Sequence, residues 1–133
     1  RAEKADVVRA LVDPVVQLVD ARTLEEFHGR TPYFEARGGH IPGAVHLDYR
    51  ALFDEEGRLL DEGRSSAQLI AAGLDVRRPM IVYCTGGVRS AQLVLALRER
   101  GVDARNYDGS FWEWAKDEAL LVEPARPPAA FNR

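Results

Sequence analysis

Short apolar runs alternate along this chain with segments in which apolar residues recur at helical spacing. The apolar runs cover residues 15–19, 45–47, 80–83 and 104–107, and the helical segments cover 5–12, 23–27, 65–72, 90–100 and 111–115. This alternation is typical of parallel sheets whose strands are joined by helices. The sequence therefore predicts an α/β fold with a parallel central sheet and helices on both faces.

Capping signals accompany several of these helical segments. Asp6 is a candidate N-cap for the first, and Thr23 with Glu26 three residues later matches a capping box. Gly101 follows the 90–100 segment, and glycine commonly follows the last helical residue. The polar stretch 54–64 is expected to be a loop.

The length of 133 residues, of which 46% are hydrophobic, suits a single domain over 1–133 with one buried core. Residues 124–133 are rich in Pro and Ala and are expected to form a tail. The net charge of -3 gives no reason to expect nucleic acid or an anionic membrane as a partner. No apolar run approaches the roughly 20 residues that span a bilayer.

The chain contains one cysteine, Cys84, which excludes an internal disulfide and a multi-cysteine metal site. A free thiol is typical of a reducing compartment, so a cytoplasmic location is expected. No motif indicates a metal or an organic cofactor, and neither is expected.

Cys84 lies at the junction between the 80–83 run and the 90–100 helical segment. In parallel sheets ligands bind beyond the carboxyl ends of the strands, and Cys84 follows such an end. Gly86 and Gly87 allow the chain to curl, so that successive N–H groups point inward as a nest for an anion. The helix that follows adds its positive N-terminal end, and Arg89 is placed to add a full positive charge. The loop expected to surround the anion comprises Thr85, Gly86, Gly87, Val88, Arg89 and Ser90.

A thiolate is an anion that such a loop would stabilise. Helix N-termini and nearby cations lower the pKa of cysteine from its ordinary value of about 8.5, and the thiolate is the reactive form. The alternative interpretation is a buried Cys84 packed before an ordinary strand–helix turn. A glycine pair alone is common in turns, but Cys, Gly-Gly and Arg together between a strand and a strong helix favour a nucleophile. The pattern predicts sulfur transfer through a persulfide on Cys84.

Four segments of the chain resemble the rhodanese domain, a sulfurtransferase family. Residues 19–22 (VDAR) followed by 25–27 (EEF) resemble its opening strand and helix. Residues 39–44 match its GHIPGA turn, and residues 84–89 are similar to its active loop, Cys-x4-Arg. Residues 107–114 (YDGSFWEW) resemble its closing segment, Y-x-G-S-W-x-E-W. The resemblance covers nearly the whole chain and implies a rhodanese-like fold and sulfurtransferase activity.

The closing segment and the long loop before the GHIPGA turn are more similar to the C-terminal catalytic half of two-domain thiosulfate and mercaptopyruvate sulfurtransferases. Active loops in those enzymes often read Cys-x-x-Gly-Val-Thr-Ala. Cys84, Gly87 and Val88 match this pattern. Arg89 stands where Thr would, and Ser90 stands where Ala would.

A second departure concerns the sulfur donor. Those enzymes often carry a substrate-binding Arg at the position of Glu26, and Arg30 and Arg37 are nearby candidates to replace it. Because the carboxylate of mercaptopyruvate needs a cation, thiosulfate is the expected donor and mercaptopyruvate a weaker candidate. The family relation implies a thiophilic acceptor such as cyanide, a thiol or thioredoxin.

Three further residues are expected to support the site rather than react. In the family, residues matching Asp20 and Arg22 help to hold the active-site end of the sheet. His40 belongs to the GHIPGA turn, and the loop needs no base to form a thiolate, so a structural role is expected. Trp112 and Trp114 cannot share a helix face, so one of them is expected in the core and the other at the pocket.

Three other functions compete with sulfur transfer from a small donor. Rhodanese-like phosphatases and arsenate reductases use a longer loop, Cys-x5-Arg, whereas only four residues separate Cys84 from Arg89. Rhodanese-like modules that only bind partners commonly lack the cysteine. A sulfur carrier that serves a larger pathway would share the persulfide chemistry and differ in its acceptor.

Overall fold

The computed structural model describes residues 1–124 and contains a four-stranded parallel sheet. The strands are β1 (Gln17–Asp20), β2 (Val45–His46), β3 (Met80–Tyr83) and β4 (Ala104–Asn106). Their order across the sheet is β2-β1-β3-β4, and every neighbouring pair is parallel. The tail expected for 124–133 lies outside the described residues, apart from Pro124.

Five helices cover the two faces of this sheet within the described part of the chain. They are α1 (Lys4–Ala10), α2 (Leu24–Phe27), α3 (Glu62–Ala71), α4 (Val88–Glu99) and α5 (Ser110–Lys116). Leu69 of α3 and Leu93 and Leu97 of α4 share one core cluster with Val19 and Val82 of the sheet. Val7 of α1 and Phe111 and Trp114 of α5 share a second cluster with Leu18 and Ile81. Since neighbouring strand residues point to opposite faces, the sheet has a core on each side, and the α/β prediction is confirmed.

The capping-box prediction at Thr23 is confirmed. The Thr23 hydroxyl accepts the Glu26 N–H at 3.2 Å, and the Glu26 carboxylate accepts the Thr23 N–H at 3.3 Å. The prediction that Asp6 caps α1 is wrong, because Glu3 is the N-cap. Asp6 lies one turn inside the helix and accepts the Glu3 N–H at 2.8 Å.

Two helices begin earlier than the sequence pattern indicates. Helix α3 begins at Glu62, because Asp61 accepts the Arg64 N–H at 2.8 Å and so caps it. Helix α4 begins at Val88 rather than Ser90, because Gly87 turns the chain directly into the helix. Ser90 therefore lies in the first turn of α4, where its backbone and side chain face the preceding loop.

The sheet brings the chemically important segments to one edge. The carboxyl ends of β1 and β3 are neighbours, with Asp20 paired in register with Tyr83. The loop after β3 and the start of α5 meet there, because Phe111 N–H donates to the Cys84 carbonyl at 2.9 Å. Among the described residues, no helix is long and apolar enough to cross a membrane.

Candidate active site

Cys84 is held by its backbone at the carboxyl end of β3 and is only 1% exposed. Its N–H donates to the Ser110 hydroxyl oxygen at 3.1 Å, and that hydroxyl donates to the Tyr107 carbonyl at 2.7 Å. Ser110 adopts a left-handed backbone with φ of 55°, which is uncommon for a residue with a side chain. The first residue of α5 thus fixes the main chain at Cys84.

Hydrogen-bond donors from the loop and from α4 point at the Cys84 sulfur. The Gly87 N–H lies 3.1 Å from Sγ, and the Ser90 hydroxyl lies 3.3 Å from it. Helix α4 also begins here, so its positive end faces the sulfur. This arrangement stabilises negative charge on Sγ.

Gly87 is the glycine that the loop geometry requires. Its φ is 94°, and a Cβ at this position would lie 2.7 Å from the Asp108 carbonyl oxygen. Gly86 has no positive φ and has open space around the position of a Cβ. The expectation that both glycines supply unusual backbone angles is therefore wrong for Gly86.

The pKa of the Cys84 thiol reflects two opposing effects. Burial by itself raises that pKa, since the thiolate is poorly solvated. Hydrogen bonds from Ser90 and Gly87, together with the charge of Arg89, outweigh burial and hold the pKa below its ordinary value. The site therefore makes Cys84 ionise more readily than a free cysteine.

Arg89 is bound by a carboxylate rather than left free to face the loop. Its two terminal nitrogens donate to the two carboxylate oxygens of Glu26 at 2.8 and 3.0 Å. Thr85 joins the pair, because its hydroxyl donates to Glu26 at 3.2 Å and accepts from Arg89 at 3.0 Å. Burial alone would raise the pKa of Glu26, but the Arg89 guanidinium holds that pKa below its ordinary value. Glu26 is thus an anion that neutralises Arg89, which corrects the expectation of a full positive charge at the loop.

Asp20 and Arg22 form a fully buried ion pair beneath this edge of the sheet. Arg22 donates to both Asp20 oxygens, at 3.0 and 2.7 Å, and to the Gly39 carbonyl at 2.6 Å. The Tyr83 hydroxyl donates to Asp20 at 2.8 Å and accepts the Ile41 N–H at 3.0 Å. The pair therefore joins β1, β3 and the 39–44 turn.

Comparison with known proteins matches residues 3–117 to the family described as "Rhodanese-like domain". The chain belongs to the rhodanese-like domain family. It is 38% identical to a putative thiosulfate sulfurtransferase, SseB, of Mycobacterium tuberculosis, over 84% of this chain and 37% of that protein. It is 34% identical to the 3-mercaptopyruvate sulfurtransferase of Escherichia coli, over 91% of this chain and 44% of that protein.

The crystal structure of the Tum1 protein from Saccharomyces cerevisiae shares the fold. The match covers 94% of this chain and 47% of the Tum1 chain, with a TM-score of 0.78 and 26% sequence identity. This rhodanese-like domain thus spans less than half the length of each of these three proteins.

In this rhodanese-like domain the two sequence departures noted above meet in one ion pair. Glu26 stands where an Arg is often found, and Arg89 stands where a Thr is often found. Considered separately, each weakens the match to two-domain sulfurtransferases. The sequence did contain a signal that links the two departures, because Glu26 and Arg89 carry opposite charges. The fold brings these two positions together.

The other candidate residues of the rhodanese-like domain lie away from the sulfur. The His40 ring stacks on Phe27 with centroids 3.7 Å apart, and its Nδ1 lies 2.8 Å from the Phe27 carbonyl oxygen. Arg37 donates to the carbonyls of Ala115 and Asp117 at 2.9 Å each. Arg37 therefore stabilises the C-terminal end of α5 instead of facing the pocket. Arg30 is exposed and is not among the residues that line the pocket.

A pocket of about 220 Å³ opens above Cys84. Its walls include the side chains of Tyr33, Val88 and Trp112, in addition to the loop. Trp112 is half exposed at this pocket and Trp114 is fully buried, as the spacing of the two predicts. Tyr33 was not identified from the sequence, because it lies in a loop without a motif.

In the described part of the chain, no group of three or more His, Cys, Asp or Glu side chains could hold a metal ion.

Proposed function

We propose that this rhodanese-like domain is a sulfurtransferase that carries sulfur as a persulfide on Cys84. The observation that carries the proposal is the convergence of the Gly87 N–H and the Ser90 hydroxyl on the Cys84 sulfur, at the base of an open pocket. These donors stabilise the Cys84 thiolate as the nucleophile of the first step and as the leaving group of the second. The printed names of the relatives, thiosulfate and 3-mercaptopyruvate sulfurtransferases, support the same chemistry.

The reaction proceeds in two displacements. In the first, the Cys84 thiolate attacks the outer sulfur of thiosulfate, a new S–S bond forms, and the donor S–S bond breaks. Sulfite leaves with the electron pair, and the persulfide anion remains on Cys84. In the second, a nucleophilic acceptor attacks the outer sulfur of the persulfide, and the Cys84 thiolate returns as the leaving group. Cyanide, a small thiol and thioredoxin are the acceptors of this proposal.

Thiosulfate is the proposed donor, with mercaptopyruvate the weaker candidate. Transfer from mercaptopyruvate requires a cation for its carboxylate. Arg89 is occupied by Glu26, and Arg37 is occupied by carbonyl oxygens at the end of α5. A phosphatase function is not favoured, because the loop has four residues between Cys84 and Arg89 and its donors converge on the sulfur.

The experiment is to incubate the protein with thiosulfate and record its intact mass, with Cys84→Ser as the matched control. We expect a gain of one sulfur atom, about 32 Da, in the wild type alone, and loss of that mass after addition of cyanide or a thiol. The same experiment with mercaptopyruvate compares the two donors. Absence of added mass with both donors would refute transfer from them and would favour a partner-delivered sulfur or a binding role.

A further inference from the structure

Glu26 is the residue at this site whose position the persulfide mechanism leaves unexplained. It is 3% exposed, lies on α2, and reaches across to the loop after β3. Both of its carboxylate oxygens accept hydrogen bonds from Arg89, and one also accepts from Thr85. A buried carboxylate costs solvation free energy unless it is paired, and here the pairing is complete.

This ion pair sets the net charge that a sulfur donor encounters in the pocket. Of the described residues that line the pocket, Arg89 alone is cationic. Its guanidinium is held by Glu26 and lies against two aromatic rings, 5.4 Å from the Tyr33 centroid and 6.0 Å from the Tyr49 centroid. The described pocket wall therefore offers no unpaired cation that could form an ion pair with a second negative charge on the donor.

The remaining walls of the pocket suit an uncharged substituent. Tyr33 and Trp112 present half-exposed aromatic rings, and Val88 is 81% exposed. Val88 and the faces of the two aromatic rings offer apolar contact, and the Tyr33 hydroxyl and the Trp112 indole N–H are neutral donors that bring no counter-charge for a sulfonate oxygen. The hydrogen bonds to Sγ come from the base of the pocket and stabilise the charge on the attacking Cys84 thiolate, not the charge on the donor.

We propose that Glu26 is a specificity-determining residue, which neutralises Arg89 and makes the pocket accept a singly charged organic thiosulfonate, which has no remote carboxylate, more readily than doubly charged thiosulfate. This inference rests on the proposed function, because it concerns the donor of the same persulfide reaction. Thiosulfate still reacts, and Glu26 lowers its rate relative to an organic donor of equal size.

The methanethiosulfonate anion is the matched probe, because a methyl group replaces one charged oxygen of thiosulfate. With either donor, the Cys84 thiolate attacks the outer sulfur and the donor S–S bond breaks. The leaving group that takes the electron pair is sulfite in one case and methanesulfinate in the other. Rates of persulfide formation on Cys84 are measured by intact mass for both donors, and the thiosulfate to methanethiosulfonate ratio is the readout. Any effect of a variant on the reactivity of the Cys84 thiolate acts on both rates and cancels in this ratio.

Glu26→Gln is the principal variant, since glutamine is also a capping-box partner for Thr23. We expect the ratio to rise about tenfold, the size of effect that a unit charge several ångströms away exerts in a partly screened site. Glu25→Gln is the matched control, because Glu25 is an exposed neighbour on the same helix and its substitution changes the net charge equally. The ratio is expected to stay at the wild-type value in this control.

Arg89→Gln provides an independent test if Glu26→Gln fails to fold. It leaves the Glu26 charge uncompensated at a pH above the pKa of that carboxyl, so the ratio measured there is expected to fall about tenfold, opposite in direction to the first variant. An unchanged ratio in the folded Glu26→Gln protein, or an equal rise in Glu25→Gln, would overturn the role of Glu26 and leave the proposed function standing. If the wild type formed no persulfide with thiosulfate or with methanethiosulfonate, both the role of Glu26 and the proposed function would be overturned.

Discussion

The Ser90 hydroxyl is the side-chain donor to the Cys84 sulfur, and its removal gives a direct test of how this site forms a thiolate. In Ser90→Ala the hydroxyl at 3.3 Å from Sγ is lost, whereas the Gly87 N–H at 3.1 Å remains. Ser90 is fully buried within the first turn of α4, so water does not readily replace it. We expect the pKa of the Cys84 thiol to rise in this variant.

The size of the rise follows from the energy of one hydrogen bond. A hydrogen bond to a charged group contributes about 1.5–3 kcal/mol, and one pKa unit corresponds to about 1.4 kcal/mol. Because the backbone donors of Gly87 and Ser90 still contact the sulfur, the lower end of this range applies. The expected rise is therefore about one pKa unit.

The assay is the rate of alkylation by iodoacetamide as a function of pH, read by intact mass. Cys84 is the sole cysteine of the chain, so every added group reports on it. The rate rises with pH as the thiol loses its proton, and the midpoint of that rise gives the pKa. In wild type the midpoint is expected below the ordinary cysteine value, and in Ser90→Ala it is expected about one unit higher.

Ser65→Ala is the matched control for this experiment. Ser65 of α3 is also buried, at 1% exposure, but its hydroxyl donates to the Leu60 carbonyl, which precedes the helix, rather than to the sulfur. Its midpoint is expected to equal that of the wild type. Equal midpoints for Ser90→Ala and wild type would refute the reasoning, and would assign the lowered pKa to the loop backbone and the helix alone.

Two predictions concern the stability of the scaffold, and both are measured by urea unfolding. Gly87→Ala is expected to lower the free energy of unfolding by about 2 kcal/mol or more, because alanine is strained at a φ of 94° and its Cβ would meet a backbone carbonyl. Gly57→Ala, with a similar φ of 80° and open space around it, separates strain from collision and is expected to cost less. Asp20→Asn is expected to cost about 3–5 kcal/mol, because it leaves the buried Arg22 guanidinium without its counter-charge. A loss below 1 kcal/mol for Asp20→Asn would show that the charge of this pair is not needed.

Local patterns in the sequence predict the strands and helices of the sheet, the capping box at Thr23 and the loop that carries Cys84. These features depend on neighbours in the chain: apolar runs of strand length, a Thr and a Glu three residues apart, and a cysteine between a strand and a helix. Local spacing also placed Trp112 and Trp114 on different sides of α5. Such patterns are readable because their signals lie within a few residues of one another, whereas the order of the strands, which pairs Asp20 with Tyr83, depends on distant segments.

The partner of each charged side chain depends instead on how distant segments pack in the fold. Arg89 is paired with Glu26, which is 63 positions away in the sequence. Arg37 donates to two carbonyls at the end of α5, which are 78 and 80 positions away. An Arg side chain is long and forked, so it reaches whichever acceptor the fold brings near, and its position in the chain does not specify that acceptor. The sequence therefore predicts a reactive cysteine and its loop, whereas the charge that a sulfur donor meets there depends on the packing of α2 against that loop.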